Sequence, residues 1–505
     1  MAMILTKFLF HFLDSRNEQL NSYAHNAHSI QHNQLIHLIK KASDTKWGTN
    51  HNYHSINDYE SFSKQVPLQT YDTLKPYIDM AINGESDILW HGKVKWFAKS
   101  SGTTNDKSKF IPITQDALDD CHYKAAKDTM ALYSRINPNS SLLGGKSLIL
   151  GGSHELKNEN AHTYSGDLSA ILLQNTPDYF NFVRVPEKKI ILMHEWESKL
   201  KAIIETTHNA DVRSLAGAPS WMMVMIKAML DATGKQYLTE VWPNLEVFFH
   251  GGISFIPYRE QYKALIPSDK MHYMETYNAS EGFFAIQNDL TDPAMLLMLD
   301  LGIFYEFIPM DKFDGTNSNA ISLEDVELNK NYALVISTNT GLWRYIIGDT
   351  VKFLSKDPYK IIITGRTKHY INAFGEELMV DNADKALEKV TAKYGVKVID
   401  YTAAPVFMSE NSKGKHQWII EFDKNPEDMI AFSHDFDEAL KEQNSDYEAK
   451  RYKNITLDYP EVIVARKGLF HDWLSSKGKL GGQNKVPRLC NDRKIIDEVL
   501  ELQFR

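Results

Sequence analysis

Along the first two thirds of the chain, short apolar runs alternate with stretches of helical character. The runs KSLILGG (146–152), LEVFFHGG (245–252), MHYMETYNAS (271–280) and YALVISTNT (332–340) are β-rich and predict strands. The stretches 115–135 and 220–232 predict helices. Such alternation predicts sheets covered by helices, so the expected class is α/β. Residues from about 5 to 45 read as helices packed on the body: the apolar run of MAMILTKFLFHFLDSR is broken by Lys7 and His11 and lacks the small-residue cleavage site of a signal peptide. No later run approaches the ~20 apolar residues of a membrane span.

A change of organisation falls at IIITGRTKHYINAFGEE (361–377), where an apolar strand ends in Gly-Arg and a polar turn precedes a helix-like stretch. Beyond it lie further strand runs (HQWIIEFD, ITLDYPEVIVA) and a helix run (MIAFSHDFDEALKEQ), enough for a small α+β domain. The 505 residues exceed what one core usually supports. The expectation is therefore a large N-terminal domain, 1–365, and a smaller mobile C-terminal domain, 366–505, with a hinge near Arg366.

Composition narrows the function. Hydrophobic residues make up 43% and charged residues 24%, the balance of a globular protein. With 56 Lys+Arg against 65 Asp+Glu the net charge is -9, so no long-range field gathers nucleic acid or anionic lipid, and an anionic ligand must be held by local positive charge. Cys121 and Cys490 stand far apart without metal-ligand spacing, which predicts neither disulfide nor structural zinc and a cytoplasmic setting.

Four stretches carry candidate chemistry. KSSGTTNDKSKFIPIT (99–114) packs Ser100, Ser101, Thr103 and Thr104 around Gly102, with Lys99, Lys107 and Lys109 close by, the composition of a loop wrapped around polyphosphate. It does not fit the Walker pattern, and GGKS at 144–147 lacks that pattern's first glycine. In YNASEG (277–282), Glu281 at a strand end is a hard oxygen ligand suited to Mg²⁺ on ATP phosphates. In GLWRYIIGDTVKF (341–353), Asp349 is placed to accept from ribose hydroxyls and Arg344 to meet phosphate or carboxylate. GRTKHYINAFGEE and GGQNKVPRL (481–489) set basic residues in Gly-rich turns, and Lys485 there is suited to stabilising charge on oxygens at phosphorus. Singly, each stretch also reads as an ordinary solvated turn.

Taken in order, KSSGTTNDKSKFIP, YNASEG, YIIGD followed by Phe353, and GLFHDWLSSKGKLGGQNKVPR resemble the auxin-responsive acyl-acid amido synthetases, the Gretchen Hagen family, within the acyl-adenylate-forming enzymes that include luciferase and acyl-CoA ligases. The resemblance runs from about residue 60 to Arg488. It implies that Ser100, Ser101, Gly102, Thr103, Thr104 and Lys109 bind the ATP phosphates, that Tyr277 lies beside the adenine, Ser280 near the substrate, Glu281 on Mg²⁺, Asp349 on the ribose and Arg366 at the hinge, and that Lys485 is the lysine of adenylation. HGGIS (250–254), with Gly251, Gly252 and Ile253, resembles the turn on the adenine and acyl side. GAPSWMMVMI (217–226), with Trp221 and Met222, is placed at the acyl pocket by the same resemblance, although a Met/Trp stripe by itself reads more often as core.

The function so implied is ATP-dependent adenylation of a small carboxylic acid, then transfer of the acyl group to an amine such as an amino acid, releasing AMP and pyrophosphate. Two departures are visible: Asn105 and Asp106 stand where the family usually has glycine, and YINAFGEELMVDN after the hinge is closer to the general superfamily form than to the plant members' acidic segment. The second makes an acyl-CoA ligase the leading alternative, with a non-catalytic nucleotide or acid sensor behind it. A γ-phosphoryl transferase lacks its phosphate-loop and Asp signatures.

Overall fold

The computed structural model describes residues 6, 10–100, 109–151, 157–158, 163–176, 182–193, 195–252, 255–367, 370–371, 373, 376, 378–406, 414–444, 447–448, 451, 457–479, 485–490 and 492–504. Its centre is a twelve-stranded sheet. Five strands run parallel in the order Arg184–Val185, Lys146–Ile149, Val212–Gly217, Val247–Gly251 and His272–Ala279. From there the sheet continues antiparallel through Gly282–Gln287, Met295–Leu297, Tyr359–Arg366, Tyr345–Lys356, Asn331–Thr338, Ile303–Pro309 and Ile321–Ser322. So wide a sheet must curl, and its register shifts at Phe283/Ala285, Ala333/Val335, Thr350/Val351 and Phe353/Ser355 provide the bends.

The predicted strands at 146–152, 245–252, 271–280 and 332–340 are present, as are the helices: Ala117–Tyr123 is π-helical and continues into Lys124–Ile136, and Pro219–Thr233 starts on its proline and stops at Gly234 in the left-handed conformation. The N-terminal segment packs as expected. Helix Tyr23–Ala42 buries Tyr23, Ala27, Leu35, Leu38, Ile39 and Ala42 along one stripe. Gln31 in that stripe donates to the carbonyls of Leu299 and Ile303 and accepts from the Tyr305 N–H, so the helix closes the backbone of a neighbouring strand.

A second body follows. Strands Val398–Val406, Lys415–Phe422 and Glu461–Val464 form a three-stranded sheet carrying helices Val380–Tyr394, Met429–Gln443, Leu469–Ser476 and Lys494–Gln503. The buried apolar clusters do not mix the two bodies: three draw only on residues up to Ile363, and two only on residues from Ile371 onward. The architecture is thus the α/β arrangement of a large and a small body that the sequence predicts.

Arg344 departs from its sequence reading as a phosphate or carboxylate ligand. Its Nε and Nη2 donate to Glu306, which is 1% exposed, and its Nη1 donates to the carbonyls of Ser63 and Val66, so every arm of the guanidinium is used internally. The residue also sits at φ 42, a conformation that this ring of partners holds in place. Arg344→Ala leaves the Glu306 carboxylate buried without its cation, and a loss of ~3–5 kcal/mol is expected in denaturant unfolding of the large body; a loss under ~1 kcal/mol would contradict this role.

Candidate active site

The two bodies face each other across a cleft of about 2790 Å³. That exceeds the ~300–1,000 Å³ typical of a single small ligand, so the space accommodates a nucleotide and further substrates together.

On the large body the site is built at strand ends. Asp349 and Arg366 are cross-strand partners where Tyr345–Lys356 pairs with Tyr359–Arg366. Arg366 Nε donates to Asp349 Oδ1 at 2.7 Å, and the Tyr277 hydroxyl donates to Asp349 Oδ2 at 2.7 Å. Burial first, then the negative charge of Asp349, pushes the Tyr277 phenol well above its usual value, so it stays a donor. Each carboxylate oxygen keeps a second lone pair, enough to accept from a vicinal pair of hydroxyls.

The next strand ends carry the turn His250, Gly251 and Gly252. A side chain on Gly251 would place its first carbon 2.3 Å from the Thr276 carbonyl oxygen, and Gly252 has φ +81, so both positions require glycine. His250 is buried, stacks on Phe255 at 4.2 Å, and is pushed down to about 3 by burial and the Arg259 cation. It is neutral at physiological pH and serves as packing under the turn.

Ser280 and Glu281 occupy the turn between His272–Ala279 and Gly282–Gln287. Glu281 is 6% exposed, and burial raises its carboxyl, opposed chiefly by Lys109. A buried carboxylate of this kind favours a cation brought by a ligand. Among the described residues no group of three or more His, Cys, Asp or Glu forms a cage. One carboxylate plus phosphate oxygens is how Mg²⁺ is commonly held, so the site fits that ion when nucleotide brings it. Lys109 itself lies over the rings of Tyr71 and Tyr345 at 5.7 and 6.0 Å and donates to the Tyr345 hydroxyl at 3.4 Å.

The small body contributes Lys485. A first side-chain carbon on Gly252 would lie 3.5 Å from the Lys485 Nζ, so the ammonium stands directly over the glycine turn. Lys485 opens onto the cleft, yet the surrounding walls strip much of its water and, with Arg366 and Arg488 nearby and Asp349 opposing, lower its pKa to about 7.

The structure thus gathers Lys109, Gly251, Gly252, Tyr277, Ser280, Glu281, Asp349, Arg366 and Lys485 on one cleft. Ser101, Gly102, Thr103, Thr104 and Ile253 lie outside the described residues, and of Ser100 only the backbone is described. Met222 is corrected: helical rotation turns Trp221 and Val224 to the cleft and sends Met222, fully buried, into the core with Met225, Ile226 and Met229. Sequence reading also passed over Tyr258, Asp384 and Arg488, which meet at the join of the two bodies. Only the spacing of Arg488 from Lys485 hinted at this, because a join between distant segments has no local signature.

Family models match three stretches that together span most of the chain. The GH3 family N-terminal domain matches residues 16–271, the GH3 family central domain residues 296–366 and the GH3 family C-terminal domain residues 381–494. A 4-substituted benzoates-glutamate ligase of Arabidopsis thaliana is 24% identical over 98% of this chain and 98% of its own, and an indole-3-acetic acid-amido synthetase of Oryza sativa subsp. indica is 25% identical over 94% and 90%. Among solved structures, the acyl acid amido synthetase GH3.15 superposes with a TM-score of 0.79 at 18% identity over 97% of this chain and 95% of that one. A 2-hydroxyisobutyryl-CoA ligase gives 0.56 at 11% identity over 98% and 92%. These two likenesses concern the fold.

The Lys485 environment has a direct readout. Its pKa in the closed, ligand-free protein is below that of an open chain, so protonation penalises closure: the penalty is full below about pH 7, shrinks as pH rises, and is gone above the ordinary lysine value. Competitive amine labelling should find Lys485 reactive with a midpoint near pH 7, moving upward when MgATP supplies negative charge. A midpoint near that of surface lysines, ~10.4, would contradict the closed geometry.

Proposed function

The chain belongs to the GH3 family, and from that premise we propose that it is an ATP-dependent acyl-acid amido synthetase working through an acyl-adenylate. The observation that carries this reading is the position of the Lys485 ammonium over the Gly251–Gly252 turn, beside the Asp349–Arg366 pair. A lysine brought from a separate body to the nucleotide side is what attack at phosphorus requires and what a mere binder does not.

In the first half-reaction Asp349 holds the ribose and Tyr277 lies along the base, while Lys109 and the 99–109 segment receive the β- and γ-phosphates. The substrate carboxylate attacks the α-phosphorus; the bond to the bridging oxygen breaks and pyrophosphate leaves. Lys485 faces the developing charge and Arg366 adds a second cation. Glu281 would hold a magnesium ion arriving with the nucleotide, and that ion would supply charge neutralisation. In the second half-reaction an amine attacks the acyl carbon, loses a proton, and expels AMP. Acid and acceptor must enter in sequence, which supports a small body that rotates; we place its hinge near Arg366, dividing 1–365 from 366–505.

The acid proposed is a small one with an apolar body. Tyr123, Met130, Leu172, Trp221 and Phe249 are among the apolar residues lining the cleft, and the relatives named above act on benzoates and on indole-3-acetic acid. The acceptor proposed is an amino acid, in keeping with those relatives' names. The stretch YINAFGEELMVDN, where this chain departs from the plant members, is closer to the general superfamily form, so coenzyme A belongs in the test. No helix among the described residues is long and apolar enough to cross a membrane. Cys121 and Cys490 are buried free thiols, each pushed up to about 12 by burial, which supports a reducing, cytoplasmic setting.

Acid-dependent ATP–pyrophosphate exchange across a panel of aromatic and aliphatic acids, followed by product analysis with amino acids or coenzyme A, tests the proposal. Exchange is expected with at least one acid, falling about 100-fold or more in Lys485→Ala, and an amide rather than a thioester is expected as product. ADP or phosphate in place of AMP and pyrophosphate would overturn the reaction type.

A further inference from the structure

The segment that carries Lys485 is fastened to the small body along its length. The Thr402 hydroxyl donates to the Pro487 carbonyl at 2.7 Å, the Ala403 N–H donates to the Arg488 carbonyl at 2.7 Å, and the Cys490 N–H donates back to the Ala403 carbonyl at 3.0 Å. Lys485 is therefore carried by strand Val398–Val406 as a rigid attachment, and the position of that strand against the large body sets where the ammonium stands.

That strand meets the large body at one short 3-10 turn, Ile256–Tyr258, which packs against both it and helix Val380–Tyr394. Tyr258, 6% exposed, enters a polar knot belonging to the small body. Arg488 lies over the Tyr401 ring at 4.9 Å and donates to Asp384, Tyr401 donates to Asp384 at 2.8 Å, and Asp400 stands next to them. The Tyr258 hydroxyl stands at the edge of this knot, close enough to the Arg488 guanidinium and to the Asp400 and Asp384 carboxylates to feel their charge. A phenol packed from one body against a cation of the other keeps that environment only while the bodies hold this relative position, and opening the join gives both groups back to water.

We propose that Tyr258 and Arg488 form the latch that seats the small body in the adenylation position, making Tyr258 a positioning residue for Lys485. The proposal rests on the ligase reading for its kinetic consequence but not for its structural one. The join is made on the nucleotide side, three residues from Lys485 and six from Gly252, so it serves the half-reaction at phosphorus. The later attack by an amine needs the small body elsewhere and gains nothing from it.

Tyr258→Phe removes one hydroxyl and keeps the ring; Tyr258→Ala also removes the packing. In small-angle scattering of the ligand-free protein, the radius of gyration should rise in Tyr258→Phe and further in Tyr258→Ala. Acid-dependent ATP–pyrophosphate exchange should fall about tenfold in Tyr258→Phe, the loss of one polar group beside the Arg488 cation, while discharge of preformed acyl-adenylate by hydroxylamine keeps its rate. An unchanged radius of gyration in both variants overturns the latch whatever the kinetics, and so does an equal fall in both half-reactions. A wild-type protein without exchange, in which the variants nevertheless expand, removes the ligase reading and supports the latch.

Discussion

Asp349 and Arg366 share one register position on neighbouring strands, and the ion pair between them is the point on which the rest of the site turns. Each end of it is tied to a different task. Through Asp349 the pair is bound to Tyr277 and so to the His272–Ala279 strand, the last of the parallel half of the sheet. Through Arg366 it stands at the last residue of the large sheet, after which the chain leaves for the small body. The charge pattern around the pair also decides the fate of Lys485, since Arg366 lowers and Asp349 raises its affinity for a proton. An incoming polyphosphate therefore changes the balance at one place with effects on ligand binding, lysine charge and closure together.

That arrangement explains how a chain of net charge -9 handles anionic substrates. Lys109, Arg366, Lys485 and Arg488 are brought to one cleft from separate stretches of the chain, while other cations are spent on surface pairs such as Lys64–Glu60 and Lys393–Asp435. Arg344 marks the boundary between these uses: five residues from Asp349, it is consumed by Glu306 and two carbonyls and offers nothing to a ligand. A cation near a motif is thus no guide to its role until its partners are known.

The legibility of this protein in its sequence follows from the same physics. The strand at 245–252 was readable because burial on both faces leaves a continuous apolar run, and Gly251 at its end has its reason in the Thr276 carbonyl, which only glycine passes. The order of the motifs carried the family and the fold. Met222 was misplaced because a Met/Trp stripe on a helix does not say which residue faces the core; the 100° between Trp221 and Met222 decides it, and that phase is set by tertiary packing. Tyr258, Asp384 and Arg488 stayed invisible for a related reason: each is unremarkable alone, and their meaning arises only where two bodies close on each other.

The central claim is that a carboxylate oxygen of the substrate attacks the α-phosphorus of ATP. It is tested most directly by running the full reaction with an acid labelled in both carboxylate oxygens with ¹⁸O and analysing the phosphorus products by mass spectrometry. One labelled oxygen in AMP, and none in pyrophosphate or phosphate, is the predicted result. Label in inorganic phosphate, the signature of an acyl phosphate, or no transfer of label despite amide formation, would contradict the account.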